Sequence, residues 1–249
     1  MTPLLLIAAV TSETRELQPL LQSARAIECA QHQAWRGQLH GQEVLLVAGG
    51  IGKANAAATT AVALERYSPH GVICFGSAGA YRDSGLQIGD LVLPQTEIMA
   101  DEGVACRGHF LDFEALGFPS VERPVERFNR FPAPEKLHTP AARLLSSTTT
   151  RLAANFSQGQ CLTVSSCSGT GEMGDRLAQH WQGVCENMEG AAVAQVCSAW
   201  DVPWLEVRAI SNLVEDRDTS RWDLAKASRH AQIAVAEIVQ HIPNEGWQS

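Results

Sequence analysis

Basic residues are scarce in this chain of 249 residues: 19 Lys and Arg stand against 27 Asp and Glu, a formal net charge of -8. Nucleic-acid backbones and anionic membranes are bound through basic patches, so this balance argues against both as partners. Long apolar runs are absent as well. The first ten residues are mostly apolar, but no Lys or Arg precedes them and the run ends at Thr11. A signal peptide needs a basic start, and a spanning helix needs about 20 apolar residues. We therefore interpret the run as a buried strand of a cytoplasmic protein.

Paired cysteines are also missing. The chain has seven cysteines, an odd number, and none of them forms a C-x-x-C pair. Most lie in apolar runs, which favours buried, reduced thiols over a zinc site or a disulfide framework. The cysteines are Cys29, Cys74, Cys106, Cys161, Cys167, Cys185 and Cys197.

Apolar runs bounded by Gly or Pro alternate with helical patterns along the chain. Strands are predicted at 4–10, 44–48, 71–75, 90–93, 160–164 and 204–210, and helices at 53–67, 191–200 and 221–241. Continuous apolar strands are covered on both faces, and their alternation with helices indicates a largely parallel sheet. His40-Gly41 resembles a hairpin turn, so some pairing should be antiparallel. The prediction is an α/β fold, a three-layer α/β/α sandwich with a mixed central sheet, in one domain over 1–249.

The segment 100–137 interrupts this alternation. It contains four prolines, many charges and several phenylalanines, among them Phe110, Phe113, Phe118 and Phe128. A long loop in a compact domain is usually a lid, a binding loop or disordered. The aromatic residues favour a lid or a subunit contact.

Two glycine-rich stretches follow predicted strands. Residues 49–53 lack the Gly and the Ser or Thr of a phosphate-binding Walker loop, since Val47 and Ala54 stand there. A tight turn and a ligand contact remain equally open for this stretch. Gly-Ser-Ala-Gly at 76–79 would let a ligand approach the backbone at a strand's carboxyl end. Glu13, just past the first strand, could be functional or only a first-turn helix residue.

Three polar residues near the C-terminal half stand out. Glu189 lies between Met188 and an Ala-rich helical run, where a merely solvated carboxylate is a poor choice and a paired or ligand-bound one is expected. Asn212 follows an apolar strand and could be a helix cap or a site residue. Arg208, inside that strand, is interpreted as a structural ion pair.

Together these residues resemble the nucleoside phosphorylase superfamily, and within it the branch of methylthioadenosine/S-adenosylhomocysteine nucleosidases. The similarity runs over most of the chain. It rests on ordered blocks: Glu13, Gly-Ile-Gly-Lys at 50–53, Gly-Ser-Ala-Gly at 76–79, Ile-Gly-Asp at 88–90, Met-Glu-Gly-Ala-Ala at 188–192 and Arg-Ala-Ile-Ser at 208–211. Within the branch, Glu-Asn-Met-Glu-Gly-Ala-Ala with Ile-Ser-Asn is most similar to the futalosine hydrolases of a menaquinone pathway.

The resemblance implies a role for each matching position. Glu13 would orient or deprotonate the attacking water, and Glu189 would bind the ribose hydroxyls above Met188. Ser77, Ala78 and Gly79 would line the base and water site. The stretch 164–170, with Val164, Gly169 and Thr170, would contact the purine edge through its backbone. The branch also implies a homodimer or a higher homo-oligomer, and neither a metal nor an organic cofactor.

Two departures from the branch predict the chemistry. Nucleosidases of the methylthioadenosine type carry Asp at position 212. Asn212 instead offers an NH2 for O6 and a carbonyl for protonated N7, which complements a 6-oxopurine. Phosphorolytic relatives place Arg at position 74, where this chain has Cys74, so water is the expected nucleophile, although Arg15 or Arg82 could substitute.

The predicted function is hydrolysis of the glycosidic bond of futalosine, a 5′-modified inosine, with release of hypoxanthine. Asn212 would act on the leaving base and Glu13 on the water. The alternatives are a methylthioadenosine/S-adenosylhomocysteine nucleosidase, a phosphorolytic inosine phosphorylase and an inert nucleoside-binding protein. Futalosine carries an aryl carboxylate at its 5′ side, and Arg82, Arg107 and His109 are the candidate cations for it.

Overall fold

The computed structural model describes residues 2–247. Its strands are β1 (Leu4–Ala8), β2 (Gln22–Cys29), β3 (His32–Leu39), β4 (Gln42–Ala48), β5 (Gly71–Ala80), β6 (Leu91–Met99), β7 (Val104–Cys106), β8 (His109–Leu111), β9 (Arg130–Pro132), β10 (Phe156–Thr163), β11 (Gly183–Asn187) and β12 (Trp204–Leu213). Its α-helices are α1 (Lys53–Tyr67), α2 (Phe113–Leu116), α3 (Glu135–Leu152), α4 (Gly171–Trp181), α5 (Gly190–Trp200) and α6 (Leu224–His241).

A mixed sheet forms the centre of the molecule, in the order β11-β10-β6-β12-β5-β1-β4-β3-β2, with β9 paired to β6. β1 is parallel to β4 and β5, whereas β3 is antiparallel to both β2 and β4. The far end of β5 also pairs antiparallel with β11, so the strands β5, β12, β6, β10 and β11 close on themselves. The predicted mixed sheet is confirmed, and the closure adds a feature that the sequence pattern did not indicate.

Helices cover both faces of the sheet because the buried strands are apolar on both sides. In β1, Leu4 and Leu6 belong to the core cluster that includes residues of α3 and α6. Leu5 and Ile7 alternate with them and pack with residues of α1 and α5. Successive side chains of a strand point to opposite faces, so β1 supplies both cores at once. The predicted α/β/α layering is confirmed.

The hairpin predicted at His40-Gly41 joins β3 and β4, whereas one strand end differs from its prediction and another hairpin and two helices were not predicted. The strand predicted at 71–75 continues to Ala80, so the Gly-Ser-Ala-Gly stretch is part of β5 rather than a loop after it. The hairpin between β2 and β3 turns at Ala30 and Gln31, both with positive φ, and neither residue signals a turn. Helices α3 and α4 were not predicted, since α3 contains Pro140 and α4 contains Gly174, residues that weaken a helical pattern.

The segment 100–137 is more ordered than a loop. It contains β7, β8, α2 and β9, and β9 pairs with β6 of the central sheet. Phe131 is fully buried, and Phe110 packs edge-on against Trp181 with ring centroids 6.2 Å apart. Phe118, in contrast, is 70% exposed. The segment is therefore anchored to the core and leaves an apolar tip in solvent.

The cysteines are all free, with five buried, Cys106 partly exposed and Cys167 exposed. Cys167 thus departs from the predicted burial. Within residues 2–247, no helix combines the length and apolar character needed to span a membrane. The same range contains no cluster of three or more His, Cys, Asp or Glu side chains suited to holding a metal ion.

Candidate active site

A cleft of about 640 Å³ opens where β1, β5, β11 and β12 end. The carboxyl ends of parallel strands are the usual binding edge of an α/β sheet. Seven of the predicted site residues line this cleft: Glu13, Ser77, Ala78, Gly79, Met188, Glu189 and Asn212. Four distant stretches of sequence therefore meet in one place.

Val164, Gly169 and Thr170 do not line the cleft. Val164 is buried in the core, and its N–H donates to the carbonyl of Asn187 at 2.9 Å. The carbonyl of Gly169 accepts from the backbone N–H of Arg217, and the hydroxyl of Thr170 caps α4. The loop reaches the cleft through Cys167 and Ser168 instead. The stretch 164–170 thus borders the cleft at positions 167 and 168, and its contact with the purine edge stays a prediction.

Glu13 is held rigidly at the end of β1. Its Oε1 accepts from the backbone N–H and the hydroxyl of Ser77 at 2.9 and 3.0 Å. Its Oε2 accepts from the N–H groups of Ala9 and Val10 at 3.2 and 3.4 Å. A β-carbon at Gly76 would lie 2.8 Å from Glu13 Oε1, so glycine is required there. These four contacts use the acceptor positions of both oxygens, and the longest of them, from the N–H of Val10 at 3.4 Å, is the one that a water molecule in the cleft would replace.

Glu189 lies at the start of α5, directly below the cleft. Its Oε1 accepts from the N–H of Gly52 at 3.0 Å, and its Oε2 lies 3.4 Å from the guanidinium of Arg208. Gly50 and Gly52 both have positive φ, a conformation that glycine adopts without strain. The glycine-rich stretch therefore forms a tight turn, the first of the two alternatives, and this turn positions a carboxylate of the cleft.

Arg208 is fully buried and forms the predicted structural ion pair. Its Nε donates to Glu206 at 2.6 Å, and its Nη1 also donates to the carbonyl of Ser77 at 3.1 Å. Behind it, the carboxyl group of Glu97 lies beside that of Glu206, and both lie against the α-carbon of Gly190. Burial, followed by the charge of Glu206, raises the pKa of Glu97 well above its usual range. The neutral Glu97 can therefore share its proton with the carboxylate that anchors Arg208.

Asn212 occupies a bulge near the end of β12, next to β5. Its Oδ1 accepts from the hydroxyl of Ser211 at 2.8 Å, and its Nδ2 donates to the carbonyl of Leu213 at 3.2 Å. It caps no helix. Since an amide has two N–H donors and two acceptor lone pairs, one donor and one acceptor remain for a ligand.

Several cleft residues were missed by the sequence analysis. Glu186 is a buried carboxylate in β11 that lines the cleft. Like Glu189, it is a charged residue within an apolar run, so the same argument could have identified it. Arg217 and Trp222 come from the loop after β12, with the guanidinium carbon 4.6 Å from the ring centroid. That loop is polar and irregular, so its sequence contained no comparable signal.

The cations proposed from sequence lie elsewhere. Arg82 pairs with Asp175 of α4, and none of Arg15, Arg82, Arg107 and His109 lines the cleft. Cys74 is buried beneath the cleft, where its sulfur lies 3.6 Å from Nη2 of Arg208. Arg208 and Arg217 are the guanidinium groups that the described part of the chain places at the cleft.

Comparison with known proteins agrees with this architecture. The chain is 32% identical over 246 residues to the 5′-methylthioadenosine/S-adenosylhomocysteine nucleosidase of Psychromonas ingrahamii, covering 95% of this chain and 98% of that protein. It is 36% identical over 210 residues to the futalosine hydrolase of Thermus thermophilus, covering 84% of each. The structure of the Neisseria meningitidis 5′-methylthioadenosine/S-adenosylhomocysteine nucleosidase in complex with methylthio-immucillin-A superposes with a TM-score of 0.83 at 26% identity, covering 96% of this chain and 99% of that one. The profile of the phosphorylase superfamily matches residues 4–242. The chain belongs to the phosphorylase superfamily, as its sequence blocks predicted.

Proposed function

We propose that this protein is a nucleosidase that hydrolyses the glycosidic bond of futalosine and releases hypoxanthine. The observation that carries this proposal is the amide of Asn212 in a cleft that also contains Glu13 and Glu189. The general reaction, cleavage of a purine nucleoside, is supported by relatives named as nucleosidases. The choice of base and of 5′ group is supported by residues of this chain.

The base preference follows from the two free hydrogen-bonding positions of Asn212. Its remaining N–H can donate to O6 of a 6-oxopurine, and its carbonyl can accept from N7–H. Adenine presents an N6 donor where the 6-oxopurine presents an acceptor, so one pair would be mismatched and buried. Such a mismatch costs about 1–3 kcal/mol per unsatisfied group, and the amide therefore favours hypoxanthine.

Water is the proposed nucleophile. A phosphate dianion at the position of the nucleophile needs a cation with free donors, yet Arg208, the guanidinium beside Glu13, already donates to Glu206 and Ser77. Glu13 adds negative charge at the point where a nucleophile would approach. Repulsion of an anion and acceptance of a water proton both favour hydrolysis over phosphorolysis.

The catalytic steps follow from these positions. As the glycosidic bond breaks, the ribose gains oxocarbenium character, and Glu189 binds its hydroxyls while Glu13 orients the water. Negative charge that develops on the base is stabilised by the N–H of Asn212 at O6. An amide does not supply a proton at neutral pH, so N7 receives its proton from solvent or from a group other than Asn212.

Arg217 is the proposed partner for the aryl carboxylate on the 5′ side of futalosine. Its guanidinium stacks on Trp222 at the cleft and has no carboxylate partner within residues 2–247. Arg217→Ala should lower kcat/KM for futalosine roughly tenfold or more, as expected for a lost charged hydrogen bond, and should leave inosine turnover nearly unchanged. An equal loss with both substrates would contradict this assignment.

One assay separates the candidate functions. Futalosine, inosine, adenosine and methylthioadenosine should be incubated in parallel with the protein, with and without phosphate, and the released base measured. We expect hypoxanthine from futalosine at a rate independent of phosphate. Faster release of adenine from methylthioadenosine would favour the methylthioadenosine/S-adenosylhomocysteine nucleosidase, to which relatives also point. A phosphate requirement would indicate a phosphorylase, and no release from any substrate would indicate a binding protein.

A further inference from the structure

We propose that Glu186 is a second base-recognition residue, which accepts a hydrogen bond from N1–H of a 6-oxopurine. The proposal rests on the proposed function, because it concerns the same base. Asn212 would read the O6 and N7 edge, and Glu186 would read the neighbouring N1 position. Two residues from different strands would then test two edges of one ring.

Glu186 is placed for a ligand contact. It lies in β11, is 4% exposed and lines the cleft together with Asn212. Its Oε1 accepts one bond, from the N–H of Ser168 at 2.8 Å. Its Oε2 accepts from the hydroxyls of Ser168 and Tyr81 at 2.7 and 3.1 Å. Each carboxylate oxygen has two acceptor positions, so one position on Oε1 remains free.

Gly79 brings the two recognition residues together. A β-carbon at this glycine would lie 3.1 Å from Nδ2 of Asn212 and 3.7 Å from Cγ of Glu186. Both side chains therefore border the same small volume above β5. In a 6-oxopurine, O6 is bonded to C6, and C6 is bonded to N1. Because O6 and N1 are this close, one ring can contact Asn212 and Glu186 at the same time.

Glu186 also sets the polarity of the loop at the base edge. The backbone N–H of Ser168 points toward this part of the cleft, and a free N–H there would suit the N1 acceptor of adenine. Glu186 accepts the hydrogen bond of this N–H. The group presented to the base at this position is then a carboxylate oxygen instead of an N–H donor. An acceptor at this position complements N1–H of hypoxanthine and opposes the lone pair of adenine N1. The preference for 6-oxopurines would thus be built into two residues rather than one.

The alternative role is structural, with Glu186 only tying the loop at Ser168 to β11. The test compares inosine with 1-methylinosine, which lacks the N1 hydrogen. For the wild type, kcat/KM for 1-methylinosine should be lower by roughly tenfold or more. In Glu186→Ala this ratio should approach one, since inosine loses its partner and the methyl group gains space. The adenosine-to-inosine ratio should rise as well, because Ser168 N–H becomes free.

Two further variants keep the test decisive. Glu186→Gln retains the size of the side chain but presents an amide, and it should also reduce the discrimination against 1-methylinosine. Glu172→Gln changes an exposed carboxylate outside the cleft and should leave the ratio unchanged. If turnover becomes too slow, calorimetry with hypoxanthine and 1-methylhypoxanthine gives the same comparison by binding.

The outcomes separate this proposal from the proposed function. A wild type that prefers adenosine to inosine would overturn the proposed function itself. A wild type that prefers inosine, with Glu186→Ala and Glu186→Gln lowering both inosine and 1-methylinosine equally, would show a structural role and overturn the assignment of Glu186. A reduced ratio in both variants would support it.

Discussion

At the scale of single residues, Asn212 has the largest effect on the proposed specificity. Its amide donates to a carbonyl and accepts from Ser211, which fixes its orientation. The amide of Asn212 has one free donor position and one free acceptor position. Exchanging donor and acceptor at these two positions should be enough to change the preferred base. A single substitution can therefore test the assignment.

Asn212→Asp should shift the preference from 6-oxopurine toward 6-aminopurine nucleosides. The carboxylate can accept from N6, and when protonated it can donate to N7, whereas it repels O6. We expect the adenosine-to-inosine ratio of kcat/KM to rise by at least roughly tenfold. Asn212→Ala serves as the control, since it should weaken both substrates without a reversal. An unchanged ratio in Asn212→Asp would mean that this residue does not read the base.

Glu13 and Glu189 should differ in what they contribute. Glu13→Gln should nearly abolish kcat and leave hypoxanthine binding mostly intact, because its proposed role concerns the water. Glu189→Gln should weaken ribose-dependent binding as well as the rate. Steady-state kinetics and calorimetry with hypoxanthine would be measured on both variants, with thermal melts as the control for folding. Small and equal losses of turnover would mean that the site is misplaced.

The sequence analysis singled out polar residues with apolar neighbours, with the exception of Glu186, and missed the residues of irregular loops. Glu13 and Asn212 closely follow predicted strands, and Glu189 precedes a predicted helix, so their proximity could be argued from the parallel sheet. Arg217 depends on the path of a polar loop, which no periodicity specifies. Val164 directly follows β10, is buried and does not line the cleft, so its predicted backbone contact with the purine stays a prediction.

At the scale of elements, the start of α5 depends on a close approach to β12. A β-carbon at Gly190 would collide with both carboxylate oxygens of Glu206 and lie 2.6 Å from Cδ of Glu97. The two carboxyl groups therefore meet over the helix terminus. Oε2 of Glu206 has no ordinary donor, so a proton on Glu97 supplies its hydrogen bond.

This pair predicts a pH dependence of stability. Glu97 has a raised pKa in the folded protein and an ordinary one, about 4.3, when unfolded. Its contribution is fully present below the unfolded value and is lost as the pH rises toward the folded value. The slope is at most about 1.4 kcal/mol per pH unit. Glu97→Gln keeps a donor for Glu206 and should flatten the fall in stability that begins above the unfolded pKa, about 4.3.

Chemical denaturation of the wild type and Glu97→Gln at several pH values measures this difference. Glu172→Gln, an exposed carboxylate, is the control and should follow the wild type. Parallel curves for wild type and Glu97→Gln would contradict a protonated Glu97.

Elements with strong periodicity were predicted and the others were not. The buried strands β1, β4 and β12 and the helices α1, α5 and α6 appeared as continuous or helical apolar patterns. β2 has an exposed surface along most of its length, so no apolar pattern marks it. The closure of β11 onto β5 pairs Cys185 and Glu186 with Ala80 and Gly79, and a linear apolar pattern does not specify such a pairing.

At the scale of the whole molecule, the cleft has an incomplete apolar rim. Ile51 and Leu224 line it and yet are 57% and 52% exposed. Phe118, at the tip of the 100–137 segment, is 70% exposed. Exposed apolar groups of this size around a binding cleft favour a covering partner, and a second copy of the chain is the partner that the family resemblance implies.

We therefore predict a homodimer in which the 100–137 segment of one subunit covers the 5′ side of the other's cleft. Phe118, rather than the packed Phe110, should supply the contact. Light scattering should give a dimer mass at micromolar concentration, and Phe118→Asp should weaken the dimer. If the segment forms a pocket wall, the same variant should raise KM for futalosine more than for inosine, whose 5′ side is small. Arg107→Ala, a change at the exposed turn between β7 and β8, is the control for the segment as a whole. A stable monomer with full activity would contradict this prediction, because the cleft of one subunit would then work without the 100–137 segment of a second subunit.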